Sequence, residues 1–344
     1  MPEHNFTTPR GRLEEVIVES EALRGNLLGD PHARRVAVYL PDGYDSSDAD
    51  YPLFLELAGF TGSGLKRVGW QSFGESVPQR VDRLTMEGDI GPAIFVFPDG
   101  FTSLGGNQYV DTPVMGNWER FIIDELIPAI EDRYRVRKGP QHRAVYGKSS
   151  GGYGAMIQGM LHGEHWGAIA SHSGDAGFDW VYRSDLPKCL TALAKFDHDP
   201  AKFIDSLKAQ PKIGGGEFHA LMTLAMAASY DPDPDARYGI RLPVGPETCE
   251  LIPSRWNNWL AHDPVVMVDR EDCRAGLNGL NLLFLDCGSR DEYHIQYGTR
   301  ALSKKLETHG IEHIHDEFDD GHSGLDYRLD RSLPLLYEAI TGKR

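Results

Sequence analysis

Cysteine is scarce. Four occur in 344 residues, Cys189, Cys249, Cys273 and Cys287, and none forms a Cys-x-x-Cys pair. That excludes a zinc knuckle or a dithiol redox motif and leaves reduced, packing thiols as the expectation. Cys287 lies at the end of an expected strand near a candidate acid, yet packing is its expected role too. Basic residues are outnumbered, 35 Lys and Arg against 51 Asp and Glu, which gives a formal net charge of −16. Such a surface repels phosphate backbones and anionic bilayers, so neither nucleic acid nor membrane is an expected partner. No stretch is long and apolar enough to span a bilayer, and residues 1–12 lack the apolar segment of a signal peptide. A cytoplasmic protein is expected. Repeats and low-complexity tracts are missing as well.

Several motifs begin without being completed. Ser63-Gly64-Leu65-Lys66 has the Ser-x-x-Lys spacing of penicillin-recognising acylases, but no Lys-Thr-Gly element occurs. The run from Gly59 to Lys66 starts like a phosphate loop and then places Leu65 where lysine is required. Asp231, Asp233 and Asp235 open like a calcium loop, but Ala236 replaces the turn glycine and Leu242 the bidentate glutamate. A solvated acidic loop is the expected reading, and no metal site is expected.

What is present is a rhythm of strands and helices. Strand-like runs fall at 13–19, 35–40, 53–57, 93–97, 144–146, 168–171, 280–285 and 313–318. The first two alternate like antiparallel edge strands, whereas later ones are continuously apolar like buried parallel strands. An α/β protein with an open, mostly parallel sheet follows. Asn117 is placed to cap a helix whose Trp118, Phe121, Ile122, Leu126 and Ile130 share one face. Residues 179–262 break the rhythm with a glycine run at 214–216, an Asp-Pro-Asp-Pro-Asp loop at 231–235 and a helical stretch at 218–229. They are expected to form a mostly helical cap inserted between strands six and seven of one domain spanning 1–344.

Chemistry concentrates at Gly147-Lys148-Ser149-Ser150-Gly151. A Gly-x-Ser-x-Gly pattern is weak alone in a glycine-rich chain, but this one follows an apolar strand and opens a helix through Met156, Ile157, Met160 and Leu161. That strand-turn-helix setting is a nucleophile elbow, which exposes the serine on a strained turn beside a base. The partners should follow in the order Ser, acid, His on loops after late strands. Asp291 lies beyond 280–285 and His322 beyond 313–318. Asp291 would orient the imidazole, and His322 would take the Ser149 proton and return it to the leaving group. Asp286 is still at its strand end and Glu292 lies one residue further along, while His313 and His315 fall within a strand, so these are rivals with structural readings. Amides of Phe60 and Ser150 are the candidate oxyanion donors. Trp256, Trp259 and Tyr238 are candidates to line an acyl or aryl pocket, although aromatics in such a segment more commonly pack a small core.

The runs Val38-Tyr39-Leu40-Pro41-Asp42-Gly43-Tyr44, Ala58-Gly59-Phe60, Glu125-Leu126-Ile127-Pro128, 147–155, 286–293 and Gly321-His322-Ser323 give the chain a family likeness. It resembles the esterase D and enterochelin-esterase-like branch of the α/β-hydrolases, which includes S-formylglutathione hydrolases, feruloyl esterases and mycolyltransferases. The resemblance implies the α/β-hydrolase fold and hydrolysis of a small or aryl ester through an acyl-serine, without metal or organic cofactor. It carries over Ser149, Asp291 and His322 as the triad, Phe60 and Ser150 as the oxyanion hole, and a homodimer. An acyltransferase or thioesterase using the same acyl-enzyme is the alternative, with a non-catalytic binding protein behind both. Ala58 and Lys148 depart from the family pattern, in which His, Ser or Asp and His respectively are common. They leave the substrate class open.

Overall fold

The computed structural model describes residues 4–342. Eight strands form one sheet: β1 (Arg12–Glu19), β2 (Ala33–Leu40), β3 (Leu53–Leu57), β4 (Ile94–Pro98), β5 (Arg143–Lys148), β6 (Ala168–His172), β7 (Leu282–Gly288) and β8 (Ile314–Phe318). In space they run β1-β2-β4-β3-β5-β6-β7-β8. The β1/β2 and β2/β4 pairs are antiparallel and every other pair is parallel. The mostly parallel sheet is the one the strand pattern predicts, and its order is that of the α/β-hydrolase fold implied by the resemblance.

Burial explains the two kinds of strand. In β1 only Val16 and Val18 are buried, each flanked by an outward-facing neighbour, whereas β3, β4 and β6 are buried at every position. Period-two alternation divides the inner strands between two cores. Leu55, Leu57, Val145, Ile169, Leu283 and Leu285 face one; Phe54, Phe95, Ala144, Tyr146, Ala170 and Phe284 face the other. The principal helices follow this division. On the second face lie α1 (Val77–Glu87), through Val77, Val81 and Leu84, and the C-terminal helix, through Leu329, Leu333, Leu336 and Ile340. The first face receives α2 (Ser150–Leu161), through Met156, Ile157 and Met160.

Local signals account for the helix ends. Ser76 and Gln79 form a reciprocal capping box at the start of α1, and Gly88 ends it at φ 83°. At the next helical stretch the expectation for Asn117 is corrected. Its side chain makes no capping bond because it lies in a short ribbon with Asp111–Thr112. The Asp111 carboxylate accepts the N–H groups of Glu119 and Arg120 instead, at 2.8 and 3.3 Å. Residues 121–126 of this stretch then take a π-helical turn.

Between β6 and β7 the chain is mostly helical and includes α3 (Leu186–Leu193), α4 (Gly215–Tyr230) and α5 (Pro253–Leu260). Leu186, Cys189, Leu190 and Leu193 of α3 pack with Ala220, Leu221 and Leu224 of α4 in the first core. Each buried leucine contributes about 1.5–3 kcal/mol. After β7 comes α6 (Ile295–Thr308), and the C-terminal helix is α7 (Leu329–Thr341). Among the described residues, no helix is long and apolar enough to cross a membrane.

Candidate active site

Ser149 stands between β5 and α2 at φ 58°, ψ −125°. A serine in that region of backbone space costs about 1–3 kcal/mol, so its surroundings must hold it there. Two flanking glycines make the turn possible. A Cβ on Gly151 would lie 1.9 Å from the Leu57 carbonyl oxygen, and one on Gly147 would lie 2.5 Å from the Gly151 carbonyl. Backbone cannot move aside for either. The Ser149 N–H donates to the His172 carbonyl at 2.9 Å, while the Ser149 carbonyl accepts from Tyr153 at 2.8 Å, which fixes both sides of the turn.

The structure brings the three expected side chains together. His322 Nε2 lies 3.0 Å from Ser149 Oγ, and its Nδ1 lies 2.7 Å from Asp291 Oδ2. A carboxylate only accepts, so the pairing assigns the imidazole proton to Nδ1 and leaves Nε2 free to accept from the serine hydroxyl. Asp291 is 2% exposed, and its other oxygen accepts the Tyr293 N–H at 2.9 Å. The Tyr293 ring packs edge-on against the imidazole, with centroids 4.7 Å apart.

The rivals have other duties. Glu292 accepts the backbone N–H of His322 at 2.7 Å and so braces the loop that carries the imidazole. Asp286 belongs to β7 and binds His172 Nδ1 at 2.8 Å and Arg328 Nε at 2.9 Å. His313 bonds Ser303, and His315 lies in the edge strand β8. Asp286, His172 and Ser332 form a second Asp-His-Ser chain, with Nε2 of His172 2.9 Å from Ser332 Oγ. Asp286 and His172 are buried beneath α7, which carries the buried Ser332, and none of the three lines the cleft.

Ser149, Ser150, Phe60 and His322 share a cleft of about 260 Å³. The Gly62 N–H closes a turn onto the Gly59 carbonyl at 2.8 Å, and the N–H of Phe60, inside that turn, has no partner among the described residues. Ser150 is the first residue of α2, where an N–H has no intrahelical acceptor. Both amides border the nucleophile and are free to donate.

The three aromatics proposed for the pocket are not in its lining, which corrects that expectation. Trp256 donates to Asp179 at 3.1 Å, and Trp259, wholly buried, packs against Tyr182, Tyr230 and Trp256. Tyr238 bonds Asp205 at 2.6 Å beneath Lys208 and Arg237. Trp256 and Trp259 are taken up by the first core, and Tyr238 lies half-buried against it. The cleft is lined on that side by Val181, Tyr182, Phe218, Met222 and Met226.

Sequence reasoning missed several polar residues here. Gln108, buried, donates from Nε2 to Ser150 Oγ at 2.8 Å and so steadies the residue whose amide borders the serine. Asp175, three residues beyond β6, lies in the lining and accepts from Tyr182 at 2.7 Å. Burial pushes its carboxyl up to about 6, against the pull of that hydroxyl. Its place just past a strand end was a signal available in the sequence. On the opposite side, Arg67 bridges Glu56 at 2.5 Å and Asp326 at 3.0 Å. Ser63, the start of the incomplete acylase motif, caps the short helix that carries Arg67. Among the described residues no three His, Cys, Asp or Glu side chains converge as a metal site.

Comparison with known proteins identifies the family and the fold. The family described as "Putative esterase" matches residues 31–330. Esterase Rv1288 of Mycobacterium tuberculosis is 32% identical over 147 residues, covering 41% of this chain and 29% of that protein, so the match spans under a third of the relative's length. Among solved structures, a ferulic acid esterase superposes with a TM-score of 0.61 at 21% identity, over 96% of this chain and 98% of the other. An S-formylglutathione hydrolase from Agrobacterium tumefaciens does so with a TM-score of 0.58 at 15% identity, over 98% of both chains. With the family match spanning most of its length, the chain belongs to this esterase family and carries its members' α/β-hydrolase fold.

Proposed function

We propose that the protein is a serine-dependent carboxylic ester hydrolase working through an acyl-serine intermediate. The observation that carries this reading is the relay from Asp291 through His322 to Ser149, with separations of 2.7 and 3.0 Å at the floor of an open cleft. As Ser149 Oγ attacks the ester carbonyl, His322 Nε2 takes its proton and Asp291 stabilises the imidazolium. The Phe60 and Ser150 amides meet the oxyanion, and His322 returns the proton to the departing alcohol. Water then repeats the sequence on the acyl-enzyme. Residues 179–262 act as a cap whose α4 supplies Phe218, Met222 and Met226 to an acyl-binding wall. Four unpaired cysteines support residence in a reducing compartment, the cytoplasm.

Hydrolysis of p-nitrophenyl acetate by the wild type and by Ser149→Ala tests the reading. Release of p-nitrophenol by the wild type alone is expected. Equal release by both proteins would contradict it.

A further inference from the structure

We propose that Lys148 makes the leaving-group side of the cleft a site for an anionic group, so that preferred esters carry a carboxylate or phosphate on the alcohol or thiol portion. This deepens the serine-esterase reading and rests on it. Alternation along β5 is the starting point. Tyr146 and Lys148 share a face, and Tyr146 sits in the core beneath α1 and α7. Lys148 also pairs in register with His172, whose ring reaches Ser332 of α7. The ammonium therefore rises on the α7 side of the sheet edge. The apolar wall of Val181, Met222 and Met226 belongs to the other face. Ser149 lies between them.

Chemistry decides which half of an ester meets which wall. A leaving group must stand against the imidazole that protonates it. Lys148 shares the cleft with His322, Ser323 and Asp326, the segment that leads into α7, and Asp326, Asp291 and Glu292 are the carboxylates near it. Lys148 is thus on the imidazole's side. Each of those carboxylates is already engaged: Asp326 with Arg67 at 3.0 Å, Asp291 with His322, and Glu292 with the His322 N–H. Arg67 is engaged in turn by Glu56 and Asp326. Lys148 lines the cleft half-buried, and its ammonium makes no ion pair or hydrogen bond among the described residues. Burial pulls its ammonium below the ordinary lysine value, with Asp326 opposing. A cation partly removed from water and left without a partner is stabilised by an incoming anion more than a solvated one would be. Lys66 at the same lining adds charge of the same sign.

Two acetate esters with matched leaving groups, 4-acetoxybenzoate and 4-acetoxybenzamide, test the proposal in the full chain. The readout is the ratio of kcat/KM, anionic over neutral, within each protein, so that any general loss of activity cancels. Lys148→Met should lower the ratio about ten- to a hundredfold, the range for a charge-assisted hydrogen bond. Lys148→Glu should lower it further, and Lys148→Arg should retain most of it. An unchanged ratio in Lys148→Met and Lys148→Glu would overturn the proposal. So would a ratio that moves only when the charge is on the acyl half, as in p-nitrophenyl hydrogen succinate against p-nitrophenyl butyrate. If neither acetate is hydrolysed in a Ser149-dependent way, the esterase reading itself fails; hydrolysis of both with an immobile ratio sinks the Lys148 proposal alone.

Discussion

Replacing Asp291 by asparagine changes one atom and, through it, the tautomer of the base. The Asp291 carboxylate has three fixed neighbours: His322 Nδ1 and, at 3.8 Å, the Cys287 thiol at Oδ2, and the Tyr293 backbone N–H at Oδ1. An amide has one oxygen. Because the Tyr293 N–H can only donate, it holds that oxygen and turns the asparagine NH₂ toward Nδ1. The imidazole must then accept at Nδ1 and carry its proton on Nε2, facing Ser149, where it cannot take another. The flipped amide sets NH₂ against the Tyr293 N–H in a site 2% exposed, a mismatch costing about 1–3 kcal/mol. The expected loss in kcat is about 10⁴-fold, equivalent to ~5.5 kcal/mol of transition-state stabilisation, with KM nearly unchanged. Initial rates on p-nitrophenyl acetate at neutral pH measure it, with thermal melts to verify folding. A folded variant within about tenfold of the wild-type kcat would refute this reasoning.

Asp175 gives a pH-dependent prediction. Its carboxyl is raised from the ordinary 3.8 to about 6, chiefly by burial, so the folded state holds its proton more tightly than the unfolded chain. Stability from this group is therefore full below about pH 4 and lost as pH rises through about 6. Asp175→Asn keeps an acceptor for Tyr182 and should stabilise the protein by up to ~3 kcal/mol at pH 8 and hardly at all at pH 4. Urea denaturation at the two pH values tests this, and an equal gain at both would contradict it. Arg67→Met should cost about 3–5 kcal/mol because it strands buried Glu56, and adding Glu56→Gln should restore part of the loss in the same measurement. Ser332→Ala removes the end of the second Asp-His-Ser chain and should lower stability by about 1–2 kcal/mol without altering kcat/KM. A large fall in turnover would tie that chain to catalysis.

Much of this arrangement was legible in the sequence because its signals are local. Apolar runs of three to six residues mark the inner strands, and the glycines around Ser149 record backbone contacts too close for any Cβ. Asp291 and His322 could be named because the fold puts functional groups on loops after strands. Arg67 and Gln108 escaped notice because their roles depend on contacts between distant segments. Arg67 meets Asp326 across 259 positions, and Gln108 reaches Ser150 across 42; neither spacing leaves a pattern along the chain. Trp256, Trp259 and Tyr238 show the converse difficulty. Composition reveals large aromatic area but not whether a cleft or the core absorbs it. At Asn117 a suitable capping residue was present, and Asp111, brought alongside by a ribbon, took the task.

The central claim is that the Ser149 hydroxyl is activated by the His322 imidazole. Treating the wild type, Ser149→Ala and His322→Ala with a fluorophosphonate and mapping the adduct by peptide mass spectrometry tests this most directly. The expected result is one adduct per chain, on Ser149, with none in Ser149→Ala and greatly slowed labelling in His322→Ala. An adduct on another residue, or undiminished labelling of Ser149 without His322, would contradict it.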